Sequence, residues 1–227
     1  MNLFDYLYRL IISKSYDDID MALKNPLSVK KLNISLQDNI NDYASDFLKF
    51  VNLQELYIQS DLSVETLPIE IGQLKTLEKL STINVRFDVF PEWITDLVNL
   101  EYLMVRGCEI TSVPKTIANL KKLKVLRIEN CELAEMSEGI NELTLLEELS
   151  FASTPILFSS LGNFPKSLKK LDLFPNMGGG RNGEISKNEE IGYAGVHSLF
   201  PDIEISPSIK VAKEKTFLEK LRTFIQH

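Results

Sequence analysis

The chain has 227 residues, 44% hydrophobic and 25% charged, which fits one folded domain or one short repeat array and is a globular rather than a disordered balance. Its formal net charge of −7 argues against nucleic acid and against an anionic membrane surface, because both need clustered positive charge. No apolar run approaches the roughly 20 residues of a bilayer span, and two cysteines do not make a disulfide framework.

In chain order, residues 2–12 come first. Leu3, Leu7 and Leu10, with Phe4 and Ile11, form one apolar helical face. Asp5 and Arg9 interrupt what would otherwise resemble a leader peptide, and no positive residue precedes it. The expectation is therefore a helix of a cytoplasmic protein, with the alternative that a leader has been removed. Residues 15–24 predict a second short helix, with Ser15 as N-cap and Asp17 and Asp18 in its first turn. Residues 1–28 together are read as an N-terminal helical cap.

Residues 29–176 repeat. "LPIEIGQLKTLEKL" begins at Leu67, and "FPEWITDLVNLEYLMV" at Phe90. "VPKTIANLKKLKVLRI" begins at Val113 and "MSEGINELTLLEELSF" at Met136. Pro68, Pro91 and Pro114 are in register, as are Ile71, Ile94, Ile117 and Ile140, and Leu74, Leu97, Leu120 and Leu143. A second pattern, L-x-x-L-x-[LIV], recurs as Val29/Leu32/Ile34, Leu53/Leu56/Ile58, Leu100/Leu103/Val105, Leu123/Leu126/Ile128, Leu146/Leu149/Phe151 and Leu168/Leu171/Leu173. At Leu77/Leu80 its third member is Thr82, a weak one. Successive copies lie 22 to 24 residues apart.

Two spacings meet in each unit. The two-step spacing, as from Leu126 to Ile128, is a short strand whose alternate side chains enter a core. The three-step spacing is an irregular or 3₁₀ turn that carries the chain back, and proline suits its start. The aliphatic face of one such unit is too small to offset the entropy of ordering it, so stability belongs to the stack.

The pattern LPxxIxxLxxLxxLxL resembles bacterial leucine-rich-repeat proteins of the 23-residue type, over residues 15–206. "ALKNPLSVKKLNIS" at 22–35 resembles the lead-in of such proteins. The resemblance implies an α/β fold: a right-handed solenoid with a curved parallel sheet of about eight short strands and helical caps at both ends. Residues 177–206 are read as a Gly-rich inserted loop plus a degenerate last repeat at Phe200, Ile203 and Ile205. Residues 207–227, with Val211, Leu218, Leu221 and Ile225 on one face, are read as a C-terminal capping helix.

Residues between the core positions of each strand face the hollow of such a sheet. One column reads Lys31, Glu55, Lys79, Tyr102, Val125, Glu148, Lys170. The next reads Asn33, Tyr57, Ser81, Met104, Arg127, Ser150, Asp172. A third reads Ser35, Gln59, Ile83, Arg106, Glu129, Ala152, Phe174. The middle of this grid is apolar, aromatic and guanidinium-bearing, the composition of binding hot spots. The candidate partner-binding residues are Tyr57, Ile83, Tyr102, Met104, Arg106, Val125, Arg127 and Glu129, with Arg106 and Glu129 placed to pair.

Other groups carry less. Cys108 and Cys131 share a column that holds Asn or Cys in the resembled family, where the side chain points inward and can bond the backbone of the turn. Parallel Cβ vectors suit a disulfide badly, so buried thiols are expected. His197 and His227 are far apart in sequence and lack the ligand spacing of a metal site. "DDID" at 17–20 lacks the later ligands of a calcium loop. "MGGGRNGEISKN" lacks the Gly-Lys-Ser/Thr ending of a phosphate loop. The expected function is binding of an unknown protein by the concave sheet of a monomer, with no catalysis and no cofactor. The alternatives are an assembly role through the end caps and an enzyme with a site near the Gly-rich insertion.

Overall fold

Each repeat spends its leucines on two short elements that can bury them only against the next repeat. The computed structural model describes residues 15–36, 40–61, 64–133, 135, 137–156, 164–173 and 202–206. The helices expected at 2–12 and 207–227, the Gly-rich insertion, both histidines, Phe174 and Phe200 lie outside the described residues.

Among the described residues, nine strands form one parallel sheet in sequence order. They are β1 (Ser15–Tyr16), β2 (Lys31–Leu36), β3 (Glu55–Ser60), β4 (Lys79–Ile83), β5 (Tyr102–Arg106), β6 (Val125–Glu129), β7 (Glu148–Ser150), β8 (Lys170–Asp172) and β9 (Glu204–Ser206). The register follows the leucine columns. Leu32, Leu56, Leu80, Leu103, Leu126, Leu149, Leu171 and Ile205 are successive partners, and all are buried. Inward and outward side chains alternate along each strand, so this one column fixes which face every neighbouring residue occupies.

The return segments are 3₁₀ turns at Ile69–Gln73, Glu92–Asp96, Lys115–Asn119 and Glu138–Glu142. Pro68, Pro91 and Pro114 stand at their starts, where the carbonyl is used and no N–H is needed. The N–H groups of Ile71, Ile94 and Ile117 donate to those proline carbonyls at 3.2, 3.0 and 3.1 Å. Ser137 takes the place in the fourth turn, and its hydroxyl also accepts from the Gly139 N–H at 3.3 Å. Ile71, Ile94, Ile117 and Ile140 are completely buried beneath these turns. In the earlier rung the return is a 3₁₀ turn, Ile40–Tyr43, running into helix α2 (Ala44–Phe47), which buries Phe47 edge-on to Phe50.

The N-terminal part departs from expectation. The helix, α1 (Ile19–Leu23), is capped by Asp18 rather than Ser15. Asp18 is extended (φ −146°, ψ 129°) and its carboxylate accepts the Met21 N–H at 2.8 Å, so the helix cannot begin before Ile19. Ser15 and Tyr16 are left extended and pair with Lys31 and Leu32, which adds the ninth strand.

A corner follows each central strand. Asn84, Gly107, Asn130 and Ser153 all have positive φ, between 50° and 72°. The N–H groups of Asn84, Gly107 and Asn130 donate to the carbonyls of Arg106, Glu129 and Ala152 on the next rung at 2.8–3.0 Å. At Gly107 a Cβ would run into the Asn84 amide oxygen, so glycine meets both demands there. A second polar ladder precedes the strands. Asn52 donates to the Leu27 carbonyl at 2.8 Å, and Asn99 to that of Lys75 at 2.7 Å. The Thr76 hydroxyl lies 2.8 Å from the Leu53 carbonyl.

Candidate functional site

The predicted columns of the outer sheet face are formed. Lys31, Glu55, Lys79, Tyr102, Val125, Glu148 and Lys170 are consecutive partners across seven strands. Asn33, Tyr57, Ser81, Met104, Arg127, Ser150 and Asp172 form the second column, and Ser35, Gln59, Ile83, Arg106 and Glu129 the third. The third column ends at Glu129, because β7 stops at Ser150 and Ala152 lies in a turn. All eight candidate residues thus lie on one face, on strands β3 to β6.

The N-terminal end of the face is closed by charge pairs. Glu55 bridges Lys31 and Lys79, each at 3.0 Å. Burial pushes its carboxyl up, but hydrogen bonds from the two ammoniums outweigh burial and hold it below the usual carboxylate range. Asn33 donates to Ser15 Oγ at 2.8 Å and to Asp17 Oδ1 at 3.0 Å. Tyr57, the earliest candidate, donates its hydroxyl to Gln59 Oε1 at 3.0 Å.

In the centre, Ile83, Tyr102, Met104 and Val125 are half-buried on adjoining strands, flanked by two guanidiniums in different states. Arg127 lies 3.5 Å from Glu129 and 3.3 Å from Glu148. Glu129, whose side chain is only 13% exposed, also accepts from Ser150 Oγ at 2.8 Å. The expected Arg106–Glu129 pair is therefore not formed. Glu129 turns to the guanidinium two residues back on its own strand and to a hydroxyl on β7. Arg106 is exposed and makes no ion pair among the described residues. Burial raises the Tyr102 phenol above its ordinary value; the Arg127 charge opposes this, and Glu129 and Glu148 reinforce it.

Elsewhere, polar side chains are spent on the fold. A shallow groove of about 310 Å³ at the starts of the strands is lined by Lys75, Thr76, Asn99 and Lys122, among others. Lys75 donates to the Gly72 and Asp96 carbonyls, both at 2.9 Å, and Lys122 to Asn99 Oδ1 at 2.7 Å. Among the described residues no cluster of His, Cys, Asp or Glu is placed to hold a metal ion. No described helix is long and apolar enough to cross a membrane. Cys108 and Cys131 are both buried, with free thiols, as expected. In the same column the Thr154 hydroxyl donates to the Ile128 carbonyl at 3.0 Å, the inward bond to backbone expected there. The ladder of Asn52, Thr76 and Asn99 was not anticipated. Its signal is a polar residue directly before the first leucine of three successive strand units, Leu53, Leu77 and Leu100.

Residues 80–177 match the sequence model of the leucine-rich repeat region. A search of curated proteins finds no match. Among solved structures the chain is similar to a leucine-rich-repeat protein of Leptospira interrogans, at 28% identity and TM-score 0.57, over 72% of this chain and 47% of that one. An internalin of Listeria monocytogenes shares the fold at 15% identity and TM-score 0.52, over 70% of this chain and 52% of that one. So does a plant peptide hormone receptor solved in complex with RGF2, at 21% identity and TM-score 0.51, over 69% of this chain and 26% of that one. The chain spans about half the length of the first two and about a quarter of the third. With its period, its register and its 3₁₀ returns all of one kind, the chain has the leucine-rich-repeat solenoid fold, and residues 80–177 match that repeat family's model.

Proposed function

We propose that the protein is a non-catalytic recognition scaffold that binds a partner protein on the exposed face of its sheet. The observation that carries this reading is the contrast within that face. Its N-terminal strands close their charges on one another, whereas β4 to β6 hold out Ile83, Tyr102, Met104 and Val125 beside Arg106, which makes no ion pair among the described residues. Folding gains little from half-exposed apolar groups, and a contiguous set of them marks a contact surface. Arg127 is held by two carboxylates and serves to fix the surface, while Arg106 is free to meet an acidic group of the partner. A preformed sheet loses little entropy on binding. The fold is also that of a plant receptor solved in complex with RGF2, which lends fold-level support.

The experiment is affinity capture from the native cell extract, followed by titration of the captured partner. The parent is compared with Tyr102→Ala and Arg106→Ala, both checked for an unchanged denaturation midpoint. A loss of roughly 30-fold at Tyr102, about 2 kcal/mol, is expected of a central anchor. Unchanged affinity in both variants overturns the assignment of the face.

A further inference from the structure

Cys108 and Cys131 are the only cysteines in the chain. Each stands two residues past the end of its strand, directly after a corner residue of positive φ, Gly107 (72°) or Asn130 (50°). The register that pairs Arg106 with Glu129 continues to them, 23 residues apart on adjacent rungs. Their sulfurs lie 2.7 Å apart, and both side chains are buried. The sequence led us to expect parallel side chains that would not converge. The left-handed residue before each cysteine takes it out of the parallel array of the strand, and the sulfurs meet.

We propose that this pair is an oxidation site, at which a peroxide joins the two thiols into a disulfide bridging the rungs of β5 and β6. Three observations carry it. Strand spacing of about 4.8 Å falls inside the Cα separation that disulfides span. Closing from 2.7 Å to the bonded distance of about 2.05 Å moves the sulfurs by only about 0.7 Å. Burial leaves each sulfur the other as its nearest reactive partner, with the Glu129 carbonyl 3.2 Å from Cys131 Sγ.

The two thiols are not equivalent. The hydrogen-bonded contact with Cys131 holds the Cys108 thiol below its ordinary value, against burial. The same contact, with burial, pushes the Cys131 thiol up. Cys131 gives its S–H to the Glu129 carbonyl at 3.2 Å, which leaves Cys108 as the attacking thiolate. Its sulfur takes one peroxide oxygen, the O–O bond breaks, and the leaving hydroxide becomes water with the proton lost by the Cys108 thiol. Cys131 then loses its proton and attacks the sulfenic sulfur of Cys108. The hydroxide displaced there takes that proton and leaves as the second water. In sum, two thiols and one peroxide give one disulfide and two waters. The bridge ties the chain just past β5 to the chain just past β6, the two strands that carry Tyr102, Met104, Arg106, Val125, Arg127 and Glu129. Oxidation thus stiffens the centre of the exposed face.

The test incubates the reduced protein with hydrogen peroxide, then counts free thiols in denaturant and measures the intact mass. Two thiols should fall to none, with a mass loss of about 2 Da that a thiol reductant reverses. The oxidised form should melt about 5–10 °C above the reduced form. Cys131→Ala should instead gain oxygen on Cys108 and show no rise in melting temperature. A parent that keeps both thiols, gains about 16–48 Da, or forms disulfide-linked dimers overturns the proposal.

Discussion

Thr82 is the one polar residue in a column otherwise made of Ile34, Ile58, Val105 and Ile128. It is 1% exposed, and its hydroxyl has no hydrogen-bond partner among the described residues. Replacing it with valine keeps the branched shape, exchanges the hydroxyl for a methyl, and leaves the register with Ile58 and Val105 intact. A buried hydroxyl without a partner costs about 1–3 kcal/mol of desolvation that valine does not incur. Thr82→Val should therefore stabilise the protein by about 1–3 kcal/mol, which at this chain length raises the melting temperature by about 2–4 °C per kcal/mol. The assay is urea denaturation. The midpoint should rise while the slope stays the same, because the surface exposed on unfolding barely changes. Ile128→Thr, in the same column and completely buried, is the control and should lose at least as much. A lower midpoint for Thr82→Val would mean that the hydroxyl is satisfied in solution and that the reasoning about this position is wrong.

Neighbouring residues on β6 offer a second check. Leu126→Ala, at a completely buried position, should cost about 2–5 kcal/mol by denaturation, whereas Val125→Ala, on the half-exposed face, should cost less than about 1 kcal/mol. Equal losses would contradict the register. Gly107→Ala should cost about 1–3 kcal/mol, because the left-handed corner and the nearby Asn84 oxygen both disfavour a Cβ; an unchanged melting temperature would sink that account. Acid should weaken the Lys31–Glu55–Lys79 bridge. The folded carboxyl titrates below its unfolded value, so its contribution is complete above about pH 4.5 and is lost as pH falls through the lower folded value. The partly exposed pairs limit the effect to about 1 kcal/mol. Glu55→Gln should lose that amount at neutral pH and show a flatter stability profile between about pH 3 and 5.

Much of this molecule is legible from spacing, for a physical reason. A leucine column at a fixed period admits one register, and the register fixes which residues face outward. Tyr102, Met104 and Arg127 could therefore be placed on one face before any coordinates. What spacing does not carry is competition between neighbours. Both Arg106 and Arg127 lie within reach of Glu129, and only the geometry of Ser150 and Glu148 decides that Arg127 takes it. Ser15 and Asp18 both suit a helix cap. Asp18 accepts the Met21 N–H, and the register with Lys31 then draws Ser15 into the sheet. The approach of Cys108 to Cys131 depends on left-handed corners that, apart from Gly107, fall on ordinary residues such as Asn130 and Ser153.

The corners also make the chain editable. Residues 107–129 span one period, and they begin at one left-handed corner and stop just short of the next. Excising them would join Arg106 directly to Asn130, so one corner substitutes for another and β5 would come to lie beside β7. The cut would leave a shorter spring with matched coils, its length a quantity that gene duplication and deletion can adjust without redrawing the interior.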